Sequence, residues 1–370
     1  MSWVFLMLGC QGGGLYSELI DQGFNRYLGV YAPTDESVDE SGVTSYRFAA
    51  EEDGPMCMSG TDFYSMTRDQ KSRDLVFFLQ GGGLCYSELC LAVSSGGAGI
   101  PAIDLLDLGA SFNPVSDWNQ AYVSYCDGSL FTGDVDVDED GDGQVDRWQR
   151  GLMNLSAALG VAATDFPNPE RILLAGSSGG GYGTITATML ARLVWPEARL
   201  FVLNDAGVGL GLADKPEFVW KLIDEFNANS IVPESQQDMF ESGHLAPIIA
   251  WQLEEDPNLK VSAVSYTQDF VISQVYLAIE ADEFERSLRE QTGLLSDDHT
   301  GRYASFLPEG TRHTALLGDP SGFVDEESEY FETLRTMLGG MDTTSIGGVS
   351  LGSWIADFVE TGPGWVSLSD

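Results

Sequence analysis

Arg171-Ile172-Leu173-Leu174-Ala175-Gly176-Ser177-Ser178-Gly179-Gly180-Gly181-Tyr182-Gly183 decides how this chain is read. Its first five residues form a short apolar run of the kind buried on both faces of a parallel sheet. A turn of glycines and serines follows, and from Tyr182 to Pro196 the sequence is helix-prone. Strand, tight turn and helix are the context that a G-x-S-x-G nucleophile elbow demands. The serine must project alone above the sheet, and neighbouring side chains would collide with helix and substrate. In this pattern Gly176 and Gly180 flank Ser178, the candidate nucleophile, and Ser177 lies one place early. No lysine follows the glycines, so a phosphate-cradling loop does not fit.

Working outward, further strand-like runs occur at 75–79 (LVFFL), 121–125 (AYVSY), 199–203 (RLFVL), 259–265 and 303–306. Between them, 148–159 carries helix-period apolar residues, and Phe166-Pro167-Asn168-Pro169 turns the chain into the elbow strand. The alternation predicts an α/β fold, a mostly parallel central sheet with helices on both faces, and with the elbow it predicts an α/β-hydrolase. No Pro/Ser-rich linker interrupts 41–370, which reads as one domain behind a polar lead-in at 1–40.

The 370 residues are 43% hydrophobic and 11% aromatic, enough to bury a full core. Lysine plus arginine total 18 against 57 acids, a net charge of −39. That charge repels nucleic acid and anionic membranes. It suits a protein kept soluble in high salt, or an acidic extracellular protein. No run reaches the roughly 18 apolar residues of a membrane span. The start, MSWVFLMLGC, ends in Leu8-Gly9-Cys10 and reads as the end of a bacterial lipoprotein signal, although no basic residues precede it. On that reading the chain is exported, Cys10 carries a lipid anchor, and Cys57, Cys85, Cys90 and Cys126 remain as an even set, expected as two disulfides.

A serine nucleophile needs oxyanion donors, a base and an acid. Leu79-Gln80-Gly81-Gly82-Gly83-Leu84 follows a buried strand and offers unobstructed backbone N–H groups that can converge with that of Gly179. The histidines are His244, His299 and His313. All three follow Ser178, as the hydrolase order requires. His313, in a loop after the last strand-like run, is favoured; His244 reads as a packing or capping residue and His299, after two aspartates, as a solvated one. The acid is Asp269, just after 259–265, or Asp205, at the end of the 199–203 strand; spacing prefers Asp269 only slightly.

The segment 134–146, DVDVDEDGDGQVD, places Asp138, Asp140, Asp142, Gly143 and Asp146 at the first, third, fifth, sixth and ninth positions of a calcium loop. Gln144 completes the candidate ligand set, but the twelfth position is Gln149 rather than a bidentate glutamate. A calcium ion here is expected to brace the rim of the site, and a solvated acidic loop is the other reading.

Taken together, FFLQGGGLCYSELC (77–90), SYCDGSLFTGD (124–134), ERILLAGSSGGGYG (170–183), NDAG (204–207) and SFLPEGTRH (305–313) resemble the pectin acetylesterase/Notum-like family. The resemblance implies an α/β-hydrolase of carboxylic esters that requires no cofactor for catalysis. It implies Ser178, Asp269 and His313 as the catalytic triad, Gly82, Gly83 and Gly179 as oxyanion donors, and disulfides Cys85–Cys90 and Cys57–Cys126. The chain departs from the family in Leu84, where an aromatic is usual, and in Ser178-Gly179-Gly180, where Ser-Ala-Gly is usual. The expected function is a serine carboxylesterase acting through an acyl-enzyme on O-acetyl groups of a polysaccharide. Esters of longer acyl chains, amides, and a catalytically silent calcium-dependent surface-binding protein are the alternatives.

Overall fold

The structure is a computed structural model that describes residues 14–318, 320–322, 327–328 and 331–370; Cys10 and the stretch read as an export signal lie outside the described residues. Among the described residues, ten strands build one sheet. In chain order they are β1 (Asp35–Val38), β2 (Val43–Phe48), β3 (Phe63–Arg68), β4 (Asp74–Leu79), β5 (Asn119–Val123), β6 (Arg171–Ser177), β7 (Arg199–Asp205), β8 (Lys260–Val264), β9 (Tyr303–Leu307) and β10 (Leu368–Ser369). Their spatial order is β1-β2-β3-β5-β4-β6-β7-β8-β9-β10. Pairings as far as β3–β5 are antiparallel and all later ones are parallel.

Successive side chains of a strand point to opposite faces, and here each face finds its own core. Phe77 and Leu79 of β4, with Ile172 and Leu174 of β6, join one apolar cluster; Val76, Phe78, Leu173 and Ala175 join the other. The first cluster packs under α1 (Gly151–Asp165) and α2 (Gly179–Val194), and receives residues from α3 (Glu217–Glu225), α4 (Ala246–Glu255) and α5 (Ala281–Asp298). The second packs under α6 (Leu351–Glu360), whose Trp354 and Phe358 are fully buried and whose N-cap, Ser350, accepts a hydrogen bond from Ser353 N–H at 3.2 Å. This is the mostly parallel sheet with helices on both faces of an α/β-hydrolase.

Two boundaries differ from the sequence expectation. The strand expected at 121–125 ends at Val123: Ser124 N–H still reaches Tyr64 O of β3 at 3.4 Å, but Tyr125 N–H turns away to the Gln80 side chain. The helix expected from Trp148 begins at Gly151, because Arg147–Gln149 pairs with Val135–Val137 in a small hairpin. The order β5-β4-β6 places successive parallel strands on opposite sides of β4, so the strand order reverses there, and an open crevice at the carboxyl ends of the strands is the usual place for a ligand at such a point.

Candidate active site

β6 ends at Ser177 and α2 begins at Gly179, leaving Ser178 alone between them with φ 57° and ψ −122°. This is a conformation that a non-glycine residue rarely adopts. The turn is possible because backbone packs on backbone: a Cβ at Gly176 would strike the Gly180 carbonyl, and one at Gly180 would strike those of Leu79 and Gln80. Ser178 N–H donates to Asp205 O at 2.8 Å and closes the elbow.

His313 lies beyond β9, where its N–H donates to Met337 O at 2.8 Å. Its Nε2 is 2.7 Å from Ser178 Oγ, and its Nδ1 is 2.9 and 3.1 Å from the Asp269 carboxylate oxygens. Asp269 is fully buried, and its Oδ1 also accepts from Val271 N–H at 2.9 Å and Ile272 N–H at 3.0 Å. A carboxylate facing Nδ1 assigns the ring proton to that nitrogen and leaves the Nε2 lone pair to accept from the serine hydroxyl. That is the proton arrangement in which an imidazole can deprotonate a serine.

The other histidines stand apart from this chain of bonds. His244 accepts from Gly211 N–H at 3.1 Å, and burial holds it below the usual histidine range. His299, expected to be solvated, is buried at the end of α5, where desolvation and then the nearby Arg302 charge keep it low as well. Asp205, the rival acid, makes no hydrogen bond to the imidazole; it accepts from Ser177 Oγ at 2.8 Å, Ala315 N–H at 2.8 Å and Leu316 N–H at 3.1 Å.

The glycines after β4 wrap the elbow. A Cβ on Gly179 would lie 3.0 Å from Gly83 O and 3.6 Å from Gly82 N, and Gly83 has φ +92°. Gly179 is the first residue of α2, where N–H groups have no acceptor within the helix. Gly83 begins a hairpin, Gly83–Tyr86 with Leu89–Ala92, that the Cys85–Cys90 disulfide crosses. A second disulfide, Cys57–Cys126, ties the segment before β3 to the turn after β5. Tyr125, which the sequence reading passed over, fixes this arrangement: its hydroxyl donates to Gly83 O at 2.8 Å and accepts from Leu130 N–H at 3.1 Å. Its sequence signals were its place at the end of a buried strand and within the 124–134 stretch that carries the family resemblance.

Ser178 opens onto a solvent-facing cleft lined by Leu84, Tyr182, Phe218, Leu222 and Tyr276; among the described residues no carboxylate, lysine or arginine lies in its wall. A second cleft of about 480 Å³ shares Leu130, Tyr182, Val219, Leu222 and Leu245 with the first and extends it toward Phe226 and Ile231.

In the acidic loop, carboxylate oxygens of Asp138, Asp140 and Asp146 lie within 4.8 Å of one another. Asp142 and Gln144 are turned to each other instead, with Gln144 N–H and Nε2 donating to the Asp142 carboxylate. Asp138 is met by the N–H groups of Gly141, Asp142 and Gly143. Three of the five residues expected as ligands are therefore gathered, on an exposed turn.

Residues 46–223 match the sequence model of the pectinacetylesterase family. Pectin acetylesterase 4 of Arabidopsis thaliana is 25% identical over 195 residues, which cover 48% of this chain and 47% of that protein. The chain thus spans about half the length of this curated relative. The family match includes Gly82, Gly83, Ser178 and Gly179, whereas Asp269 and His313 lie beyond it and reach the elbow through the fold. Residues 46–223 form a pectinacetylesterase-family segment carried on an α/β-hydrolase sheet.

Proposed function

We propose that this chain is a serine carboxylester hydrolase whose triad is Ser178, His313 and Asp269. The observation that carries the reading is the unbroken chain of hydrogen bonds from Ser178 Oγ through His313 to Asp269, at 2.7 and 2.9 Å. As Oγ attacks the ester carbonyl carbon, His313 Nε2 takes its proton, and Asp269 stabilises the imidazolium that results. The carbonyl oxygen becomes an oxyanion facing the N–H groups of Gly82, Gly83 and Gly179. One such donor is typically worth about 3 kcal/mol of transition-state stabilisation. Collapse expels the alcohol, which takes the proton from His313. A water activated by the same imidazole then attacks the acyl-serine, and the acid leaves.

The family segment and the Arabidopsis relative's name support acetyl esters of a polysaccharide as the substrate. The apolar cleft beside Ser178 favours a second reading, esters of longer acyl chains, since Leu84, Tyr182, Phe218, Leu222 and Tyr276 offer apolar surface beyond the reach of an acetyl group. The two disulfides support an exported protein.

The test is hydrolysis of p-nitrophenyl esters from acetate to palmitate by wild type and Ser178→Ala, in low and high salt. The variant should lose roughly 10⁴-fold or more in kcat. A rate steepest for acetate supports the polysaccharide deacetylase, and a long-chain optimum supports the second reading. Turnover surviving in Ser178→Ala overturns the elbow assignment, and no turnover by either protein points to the silent binding protein.

A further inference from the structure

One buried group is left over by the mechanism above. Asp205 closes β7 directly beside the elbow and is fully buried, yet it does not orient the imidazole. Three donors meet its carboxylate: Ser177 Oγ, from the residue before the nucleophile, and the N–H groups of Ala315 and Leu316, from the residues just after His313. Its own carbonyl accepts from Ser178 N–H. A single residue of β7 therefore grips the nucleophile's turn with its backbone and the histidine's loop with its side chain.

We propose that Asp205 is a positioning residue that sets the Ser178–His313 distance by clamping the 313–316 loop to the elbow, and that its negative charge supports the imidazolium formed during turnover. Two backbone N–H groups, which can only donate, and the Ser177 hydroxyl face the carboxylate, a setting that favours the ionised form because each N–H keeps an acceptor there. Burial pushes this carboxyl up to about 7, opposed first by the Ser177 hydrogen bond and then by Ala315, the His313 charge and Leu316. The other titratable groups that reach it are Asp104, from the turn before β5, and Tyr266, from the loop after β8. Protonation removes an acceptor from the clamp as well as the charge. The proposal rests on the esterase reading, because a clamp matters only if serine and histidine must meet.

Asp205→Asn keeps the shape, discards the charge, and sets an NH₂ against one of the two backbone N–H groups, which can only donate. On p-nitrophenyl butyrate, kcat should fall about 10- to 100-fold, as for a small misplacement of reacting groups, with KM little changed. The acidic limb of the kcat/KM profile should move to lower pH, since the imidazolium loses a stabilising charge and the titrating clamp is gone. Ser177→Ala removes only one donor to the carboxylate, so Asp205 takes its proton at higher pH and the limb should move the opposite way. Opposite shifts in the two variants support the proposal. An unchanged kcat in Asp205→Asn overturns it, and so does a reduced kcat with unmoved limbs in both variants, which would make Asp205 scaffold alone. If Asp205→Asn does not fold, the direction of the Ser177→Ala limb decides. Failure of the esterase reading shows separately, as turnover surviving in Ser178→Ala.

Discussion

Two groups of aspartates in this molecule obey opposite physics. Asp104, Asp205 and Asp269 lie beneath or beside the His313 loop and are buried; Asp138, Asp140, Asp142 and Asp146 sit on one turn and are exposed. The exposed set is met by N–H groups of its own loop, those of Glu139, Gly141, Asp142, Gly143 and Gln144, so it shapes a local turn and little else. Each member of the buried set is also met from afar, Asp269 by His313 44 positions away besides its own Val271 and Ile272 amides. Asp205 holds residues 110 and 111 positions away, and Asp104 accepts from Met341 N–H, 237 positions away. Taking a carboxylate out of water is costly, and burial raises both Asp104 and Asp205 to about 7. In return their hydrogen bonds fix a loop that backbone pairing alone leaves unspecified. The difference teaches that in a chain with 57 acids, an acid's effect follows from its solvation and from which segments it joins.

The comparison breaks most visibly at Asp269. Asp269→Asn leaves the imidazole a partner that no longer selects the same tautomer, and kcat should fall about 10⁴-fold. Near-full turnover would return this acid to the scaffold. A smaller effect separates Asp104 from the exposed set. An acid raised from 3.8 to about 7 binds its proton more tightly in the folded than in the unfolded chain. Its stabilising contribution is therefore complete below about pH 4 and is lost as pH rises through about 7. Asp104→Asn, which keeps an acceptor for Met341 N–H, should gain on wild type over that interval by up to about 4 kcal/mol. A difference in melting temperature that stays constant from pH 4 to 8 refutes the assignment. The smallest effect belongs to Asp138→Asn. In chelator its stability should stay within about 0.5 kcal/mol of wild type. Added calcium should raise the melting temperature of wild type more than that of the variant, and equal responses remove calcium from the loop.

The elbow and the central strands were legible because their information is contiguous: four continuous apolar runs and a glycine turn between strand and helix. The choice between Asp205 and Asp269 was not legible from spacing. Asp205 ends β7 and Asp269 lies in the loop after the neighbouring β8, at the same sheet edge, and they differ in what the loops bring to them, His313 Nδ1 to Asp269 and the Ala315 and Leu316 amides to Asp205. His299 misled because two aspartates precede it, while the close of α5 carries it inward beside Arg302. Trp148 looked like the start of a helix and instead belongs to a hairpin strand, a pairing with residues 135–137 that no local pattern announces. The cleft is equally non-local, since its walls come from the hairpin after β4, the turn after β5, α2, α3 and the segment after Asp269.

Ser178 and His313 stand 135 positions apart, and the strand that delivers the histidine, β9, pairs beside β8 far out along the sheet. Parallel pairing over such separations is slow to form, because loop-closure entropy is lost before the contacts that reward it are made. The elbow can take shape once β4, β6 and β7 are together, but His313 cannot reach Ser178 until β8 and β9 have joined. During refolding, the recovery of ester hydrolysis should therefore trail the recovery of helical signal and of buried tryptophan, and the lag between them times the closing of the sheet.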